Sequence, residues 1–343
     1  MALENRVALM KRMEELRGSR LICFLTTLRQ GVPGQIGDDA VRVFFEHLLL
    51  LPSRPIKKLD LFLCSNGGSG TVPWRLVALF REFAKFFSVL VPYRAYSAAS
   101  LLALGADEIV MHPFAELGPI DPTVSNDFNP AEEGTGRRLG ISVEDVSAYI
   151  NFVKSNVGIT HEDELVKTVE ILAQKVHPLA LGNVERFLAQ SRMIAKKILR
   201  THMKDEDEHT IDEIVENMAS RLYFHGHPIN RQEAKSDIGL KVMPNPSPEL
   251  EAAIWDLYKD YETEFENLSV FFPMGDLAAM PSGPNPPQKE YTLTHAMIES
   301  VRLSSRHTTK RRYTQLTLPS LQPVQQAIRE DILSQGWNHL PVP

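Results

Sequence analysis

Leu59-Asp60-Leu61-Phe62-Leu63-Cys64-Ser65-Asn66-Gly67-Gly68-Ser69-Gly70 is the stretch on which the reading of this chain turns. Its first half is a short, mostly apolar run of the kind that makes a strand buried on both faces. Two adjacent glycines then stop it. From about Val72 to Phe86 (VPWRLVALFREFAKF) apolar residues return at helical spacing. A strand that turns tightly into a helix leaves bare backbone N–H groups at a positive helix end. Glycine there permits φ > 0 and lets an oxygen approach the main chain. The glycines have neither the GxGxxG spacing nor the Gly-Lys-Ser/Thr pairing, which argues against a dinucleotide fold or a P-loop.

Working outward, the same alternation recurs. Residues 3–17 have helical spacing, Leu21 to Leu28 (LICFLTTL) reads as a buried strand, and Gln30 to Gly37 as a loop. Asp38-Asp39 stand where a cap would start a helix running to about Leu51. Beyond Phe86, Ser88 to Tyr93 is a strand, residues 97–105 (SAASLLALG) a helix and Glu108 to Met111 a short strand. Strands alternating with helices predict βαβ units, an α/β core and a largely parallel sheet. From about residue 141 the pattern becomes helical: Ser142 to Lys154, Glu162 to Gln174, Asn183 to His202 and Asp212 to Leu222. Ser142 with Asp145, and Thr160 with Asp163, have the spacing of capping boxes. Pro244, Pro246 and Pro248 mark a boundary, followed by a helix from Glu249 to Leu268 and a proline-rich linker at residues 280–288. The tail predicts strands at Tyr291 to Leu303 and Arg312 to Leu318 and a last helix near Val324 to Leu333.

The whole chain has 343 residues, a prior of about two domains and ample for a large core. With 37 Lys and Arg against 43 Asp and Glu, its net charge of −6 offers no general attraction to nucleic acid. Lys310-Arg311-Arg312 is a local basic run, read as solvated. Cys23 and Cys64 sit in apolar runs and are expected as reduced core residues. The charged, amphipathic N-terminal stretch has no apolar h-region and is not expected to be a secretory signal, and Leu48 to Leu51 is too short to cross a bilayer. The expectation is a cytoplasmic chain without membrane insertion. His161-Glu162-Asp163-Glu164 and Asp205-Glu206-Asp207-Glu208-His209 lack HExxH spacing, so no metal is expected. Phe80, Phe83, Phe86 and Phe87 read as core or subunit interface.

About thirty residues after the glycines comes a second strand-to-helix junction, Tyr93-Arg94-Ala95-Tyr96-Ser97-Ala98-Ala99-Ser100. In a parallel sheet both junctions fall at the carboxyl edge, where sites of open α/β folds gather. A serine starting that helix would face the Gly-Gly amides: a hydroxyl nucleophile beside donors for an oxyanion. Ser97 is the first candidate. Ser100, a helical turn later, is the second.

The series FLCSNGGSG, VLVPYRAYSAASLLALGADEIVM and AELGPIDP, continued by HPLALGNVER and FHGHPINRQEAKSDIGLKV, resembles the serine dehydrogenase proteinase family. That family stands with the signal peptide peptidase A-like and Clp-protease-like serine peptidases. The resemblance covers about residues 18–245. It implies an α/β fold with a Clp/crotonase-type core of repeated ββα/βαβ units, a helical extension and a C-terminal α+β appendage. Residues 1–245 would be the peptidase domain and 246–343 a C-terminal extension of linker, hairpin and helix. It also implies an endopeptidase acting on protein or peptide substrates without a cofactor, and a homo-oligomer. Ser97 would be the nucleophile, ten residues before Asp107. The amides of Gly67, Gly68 and Ala98 would form the oxyanion hole.

The general base stays open. No lysine lies between Ser97 and Lys154, against the spacing of a Ser-Lys dyad. Histidine needs least tuning for the task at neutral pH. His177 in HPLALG is the first choice, with His112, His225 and His227 behind it and Asp121 to orient the ring. Lys154, Lys175 and Lys196 are the lysine options. Two other functions use the same frame: a crotonase-like acyl-CoA enzyme, and an inactive scaffold that binds a partner.

Overall fold

The computed structural model describes residues 2–120, 123–124, 127–130, 132, 138–139, 141–204, 208–219, 227–281, 286–318 and 325–342. After α1 (Ala2–Arg17) the chain enters the sheet through β1 (Arg20–Thr26). Helix α2 (Ala40–Leu49) leads to β2 (Ile56–Cys64), and α3 (Val72–Phe83) to β3 (Ala84–Val91). A two-residue strand, β4 (Arg94–Ala95), then precedes α4 (Ala98–Ala103) and β5 (Glu108–Met111). Strands β1, β2, β3 and β5 are parallel neighbours in that order. Each crossover therefore steps the same way, and right-handed crossovers put α2, α3 and α4 on one face.

Side chains of β1 alternate accordingly. Ile22 and Phe24 enter the core beneath α2–α4, whereas Leu21, Cys23 and Leu25 enter a second core. Cys64 belongs to the second core too, and burial pushes its thiol up to about 12. Both cysteines are buried and unpaired, as expected of core residues.

Short strands β6 (Glu116–Leu117), β7 (Thr123–Val124) and β8 (Ile141–Ser142) lead into the helical segment. This comprises α5 (Val143–Asn151) with a π-helical turn at Phe152–Asn156, α6 (Glu162–Lys175), α7 (Pro178–Leu199) and α8 (Glu208–Ala219). Helices α7 and α8 add Ile194, Ile198, Ile211 and Ile214 to the core beneath α3 and α4. Next come β9 (Ile229–Asn230), which joins β4 and β6 in a small sheet, and α9 (Arg231–Ser236).

The last hundred residues are built into the same body. Helix α10 (Pro248–Glu264) packs on α1 and closes the second core with Ile254, Leu257 and Tyr261. After α11 (Pro273–Ala278), β10 (Gln288–Glu299) pairs antiparallel with β1. Strands β11 (Leu303–Leu318) and β12 (Gln325–Pro341) extend it to seven strands, β12-β11-β10-β1-β2-β3-β5. No helix among the described residues is long and apolar enough to cross a membrane.

Several local expectations are corrected. The helix expected near Val324 to Leu333 is strand β12, paired with β11 from Gln325 opposite Leu318 to Pro341 opposite Leu303. Long-range ladder bonds override its helix-forming composition there. The first strand of the tail ends at Glu299 instead of Leu303, and the second begins at Leu303 instead of Arg312. Helix α3 stops at Phe83 instead of Phe86: Phe87 turns in against Phe80, with ring centres 5.1 Å apart, while Phe86 is exposed. His161, not Thr160, holds the N-cap position of α6. Asp39 holds that of α2 but bonds no helix amide, its Oδ2 accepting from Trp337 Nε1 at 2.7 Å. The side chains of the Ser142–Asp145 pair lie outside the described residues.

On the buried face of α2, His47 has its ring nitrogens 3.2 Å from Ser300 Oγ and 3.0 Å from Ser305 Oγ. Burial first, then the proximity of His339, lowers its pKa from 6.5 to about 4. The unfolded chain thus binds a proton that the folded chain refuses. Stability contributed by the neutral ring is full above pH 6.5 and drains away as the pH falls toward 4. At ~1.4 kcal/mol per unit the loss is about 3 kcal/mol. Urea unfolding at pH 6.5 and 4 should show it in the wild type, and His47→Gln should remove that share of the drop. Parallel pH profiles for the two proteins would contradict this assignment.

Candidate active site

The turns after β2 and β3 are stitched together. Ser65 N donates to Arg94 O at 2.8 Å, and Tyr96 N donates to Ser65 O at 2.9 Å. The buried Ser65 hydroxyl oxygen accepts Gly67 N–H at 3.1 Å and the Thr26 hydroxyl at 2.8 Å. The second glycine is held from the other side. Ile36 N donates to Gly67 O and Ser69 N to Ile36 O, each at 2.8 Å.

These bonds press the Gly-Gly turn onto the start of α4. A β-carbon on Gly67 would lie 2.8 Å from Ser97 Cβ and from Tyr96 O, and 3.2 Å from Ala98 N. At Gly68 it would press on Ile36 O and stand 2.5 Å from Ile36 N. With φ of +105° and +149°, both positions require glycine on conformation and on space.

Ser97 itself is strained. Its φ of 54° and ψ of −116° lie outside the wells open to side-chain-bearing residues. Such a conformation costs about 1–3 kcal/mol and persists only where the surroundings impose it. It occupies the N-cap position of α4, yet its side chain caps no amide. Among the described residues its hydroxyl has no hydrogen-bond partner. A strained strand-to-helix turn that presents a serine is the geometry of a nucleophile elbow.

The amides around it divide cleanly. Gly67 N–H is taken by Ser65 Oγ, and Ala99 N–H by Tyr96 O at 2.9 Å. Gly68 N–H and Ala98 N–H have no partner among the described residues. Two free donors thus flank the contact between Gly67 and Ser97. Of the three amides expected for an oxyanion hole, Gly67 is the one already spent.

Ser100 is fully buried, and its hydroxyl meets Ala95 O at 2.6 Å, Gly118 O at 2.7 Å and Gly118 N–H at 3.1 Å. It fastens α4 to the small sheet and is not available as a nucleophile. Asp107, the family spacing mark, accepts from Arg81 Nη1 at 2.6 Å and Phe87 N at 2.7 Å, which is a packing role. Tyr96, beside Ser97, lies over Gly118 and donates its hydroxyl to Glu116 at 2.5 Å.

The base candidates are scattered. His177 is exposed at the N-cap of α7, stacked on Phe128, and its Nδ1 accepts Leu179 N–H at 3.2 Å. His112 stacks on Trp255 with ring centres 5.1 Å apart, and its Nδ1 accepts Phe114 N–H. His227 meets Glu233 at 2.7 Å. Lys154 and Lys175 are exposed, and Lys196 pairs with Asp212. Asp121 and His225 lie outside the described residues. The structure therefore unites Ser97, Gly67, Gly68 and Ala98, and hydrogen-bonds none of the described base candidates to Ser97. Ser65 and Ile36 were missed by sequence reasoning. One sits inside the quoted turn as an ordinary turn serine, and the other's role depends on a contact across about thirty residues of chain.

Two proteins of Methanocaldococcus jannaschii are similar to this chain. Uncharacterized protein MJ1495 is 23% identical over 250 residues, covering 70% of this chain and 72% of its own. Uncharacterized protein MJ0137 is 25% identical over 203 residues, so this chain spans 59% of its length. Among solved structures, a serine-to-alanine mutant of 1510-N, a membrane-bound stomatin-specific protease, matches with a TM-score of 0.33 and 15% identity. That match covers 68% of this chain and 84% of the other. Residues 1–133, which contain every part of the site assembled above, match the family model described as ClpP-like SDH-type serine proteinase. Over that segment, somewhat more than a third of the chain, this protein is similar to the ClpP-like SDH-type serine proteinase family.

Proposed function

We propose that this chain is a serine peptidase in which Ser97 is the nucleophile and the amides of Gly68 and Ala98 bind the oxyanion. The observation that carries this reading is the strained backbone of Ser97 beside two amides, Gly68 N–H and Ala98 N–H, that have no partner among the described residues. Ser97 Oγ would attack the carbonyl carbon of a peptide bond and pass its proton to a base, which returns it to the departing amine. Water then hydrolyses the acyl-enzyme. Donors fixed before the reaction are worth most, because they need no reorganisation as charge develops.

His177 remains the base proposed for this step, with Asp121 to orient it, and the cap it makes sets a condition. An Nδ1 that accepts Leu179 N–H leaves the neutral ring its proton on Nε2, so that nitrogen cannot accept one from serine. To act, His177 has to release the cap and take the other tautomer.

A fluorophosphonate probe, followed by mass spectrometry of the whole chain, tests the assignment. Labelling at Ser97 is expected. Labelling at another serine, or none on folded protein, would overturn it in favour of the acyl-CoA or scaffold readings. Gly68→Ala should lower the labelling rate about 10²–10³-fold, the usual cost of one oxyanion donor. Gly70→Ala, where a β-carbon meets nothing within 4 Å, should leave the rate unchanged.

A further inference from the structure

A cavity of about 340 Å³ opens between the loop before α2 and strands β10–β12. Its wall includes Asp39, His295, His307, Arg311 and Trp337, from segments far apart in sequence. Charges of both signs line it, and two residues of its wall each carry a buried polar atom with no partner among the described residues. His295 is only 7% exposed, and its Nδ1 is held by Pro33 O at 2.6 Å. A carbonyl accepts, so Nδ1 carries the ring proton and Nε2 is a bare lone pair. That Nε2 is buried and has no partner among the described residues. Neither has Arg311 Nε–H, although the same guanidinium reaches Glu330 through Nη1 at 2.6 Å.

An orphaned acceptor and an orphaned donor in one wall cost stability that a suitable ligand recovers. A simple anion would meet Asp39, and a simple cation would meet Arg311. No three His, Cys, Asp or Glu side chains among the described residues gather as a metal set. The remaining match is a molecule with a donor cation at one end and an acceptor anion at the other.

We propose that this cavity binds a small zwitterion, a free amino acid or dipeptide, its ammonium on Asp39 and His295 and its carboxylate on Arg311. The volume is at the small end of the range for small-molecule sites, which suits such a ligand. The loop that supplies Pro33 and Asp39 also supplies Ile36, whose two backbone bonds clamp Gly67 and Ser69. Occupancy therefore bears on the oxyanion turn. That coupling rests on the peptidase reading; the binding does not.

The test is a titration of wild-type and Ser97→Ala protein with alanylalanine, followed by Trp337 fluorescence, with Trp337→Phe as the signal control. Both proteins should bind with a Kd in or below the millimolar range. N-acetyl-alanylalanine amide, which has neither charge, should bind at least about tenfold more weakly, as should alanylalanine to Asp39→Asn and Arg311→Gln. Absence of saturable binding, or equal binding of the blocked dipeptide, overturns the site; the second comparison uses only wild-type protein and does not depend on how the variants fold. Alanylalanine should also change the rate of probe labelling at Ser97 several-fold, and an unchanged rate overturns the coupling. A protein that binds alanylalanine but is never labelled keeps this site and loses the peptidase.

Discussion

Ser97→Ala should abolish probe labelling and lower peptide hydrolysis by at least about 10⁴-fold, while leaving stability to urea almost unchanged. The two halves of that expectation have different origins. The first follows from the loss of the Ser97 hydroxyl, on a residue pressed against the Gly-Gly turn and followed directly by the Ala98 amide. The second follows because the Ser97 side chain caps nothing in α4. A serine that served as an ordinary N-cap would cost about 1 kcal/mol on truncation and nothing in hydrolysis. Ser97→Gly sharpens the contrast. At a φ of 54° glycine has no β-carbon to strain, so this variant should be more stable than the wild type by about 1 kcal/mol and just as inactive. Urea unfolding of the three proteins beside a hydrolysis assay separates the readings. Full activity in either variant would remove Ser97 from the chemistry.

The parallel core was legible because its strands are continuous apolar runs and its turns carry glycine or proline, so local pattern and global pairing agree. That the Gly67-Gly68 turn and Ser97 would meet was legible for the same reason: a parallel sheet brings successive strand-to-helix junctions to one edge. The division of labour between the glycines was not. It depends on Ser65 Oγ occupying one amide and Ile36 bracketing the other, and both are contacts across the turn. Asp39 failed as a cap because Trp337, nearly three hundred residues away, offers its indole N–H instead. Strand β12 failed for a related reason. QQAIREDIL has a helix-forming composition but pairs as a strand because a sixteen-residue partner, β11, is in place. Histidine roles were least legible. His112, His177 and His227 are all fixed by local hydrogen bonds that leave no mark on residue spacing.

Arg6→Met should destabilise the protein by about 3–5 kcal/mol, the largest stability effect expected here. Arg6 on α1 is completely buried, with Nε 2.6 Å from Glu299 on β10 and Nη1 2.6 Å from Asp260 on α10. Glu299 is completely buried as well and also accepts from Tyr261 at 2.9 Å and Ser304 at 2.6 Å. Burial alone would raise the Glu299 carboxyl, but the Arg6 guanidinium and these hydroxyls more than offset it and hold it below the usual range. Removing Arg6 leaves that buried carboxylate only the more distant Arg306, 3.8 Å away, and the under-compensated charge, more than the lost attraction, sets the cost. Arg6→Met with Glu299→Gln should therefore recover a large part of the loss, measured by urea unfolding. No recovery in the double variant would mean that Arg6 acts by packing alone. The same ion cluster joins the first helix of the chain to elements beyond residue 246. A chain ended near that point would lose α10 and β10, strip Arg6 of its partners and open the second core to water. It should fail to fold rather than shed an appendage, and a cooperative unfolding transition in that truncation would disprove this account of the core.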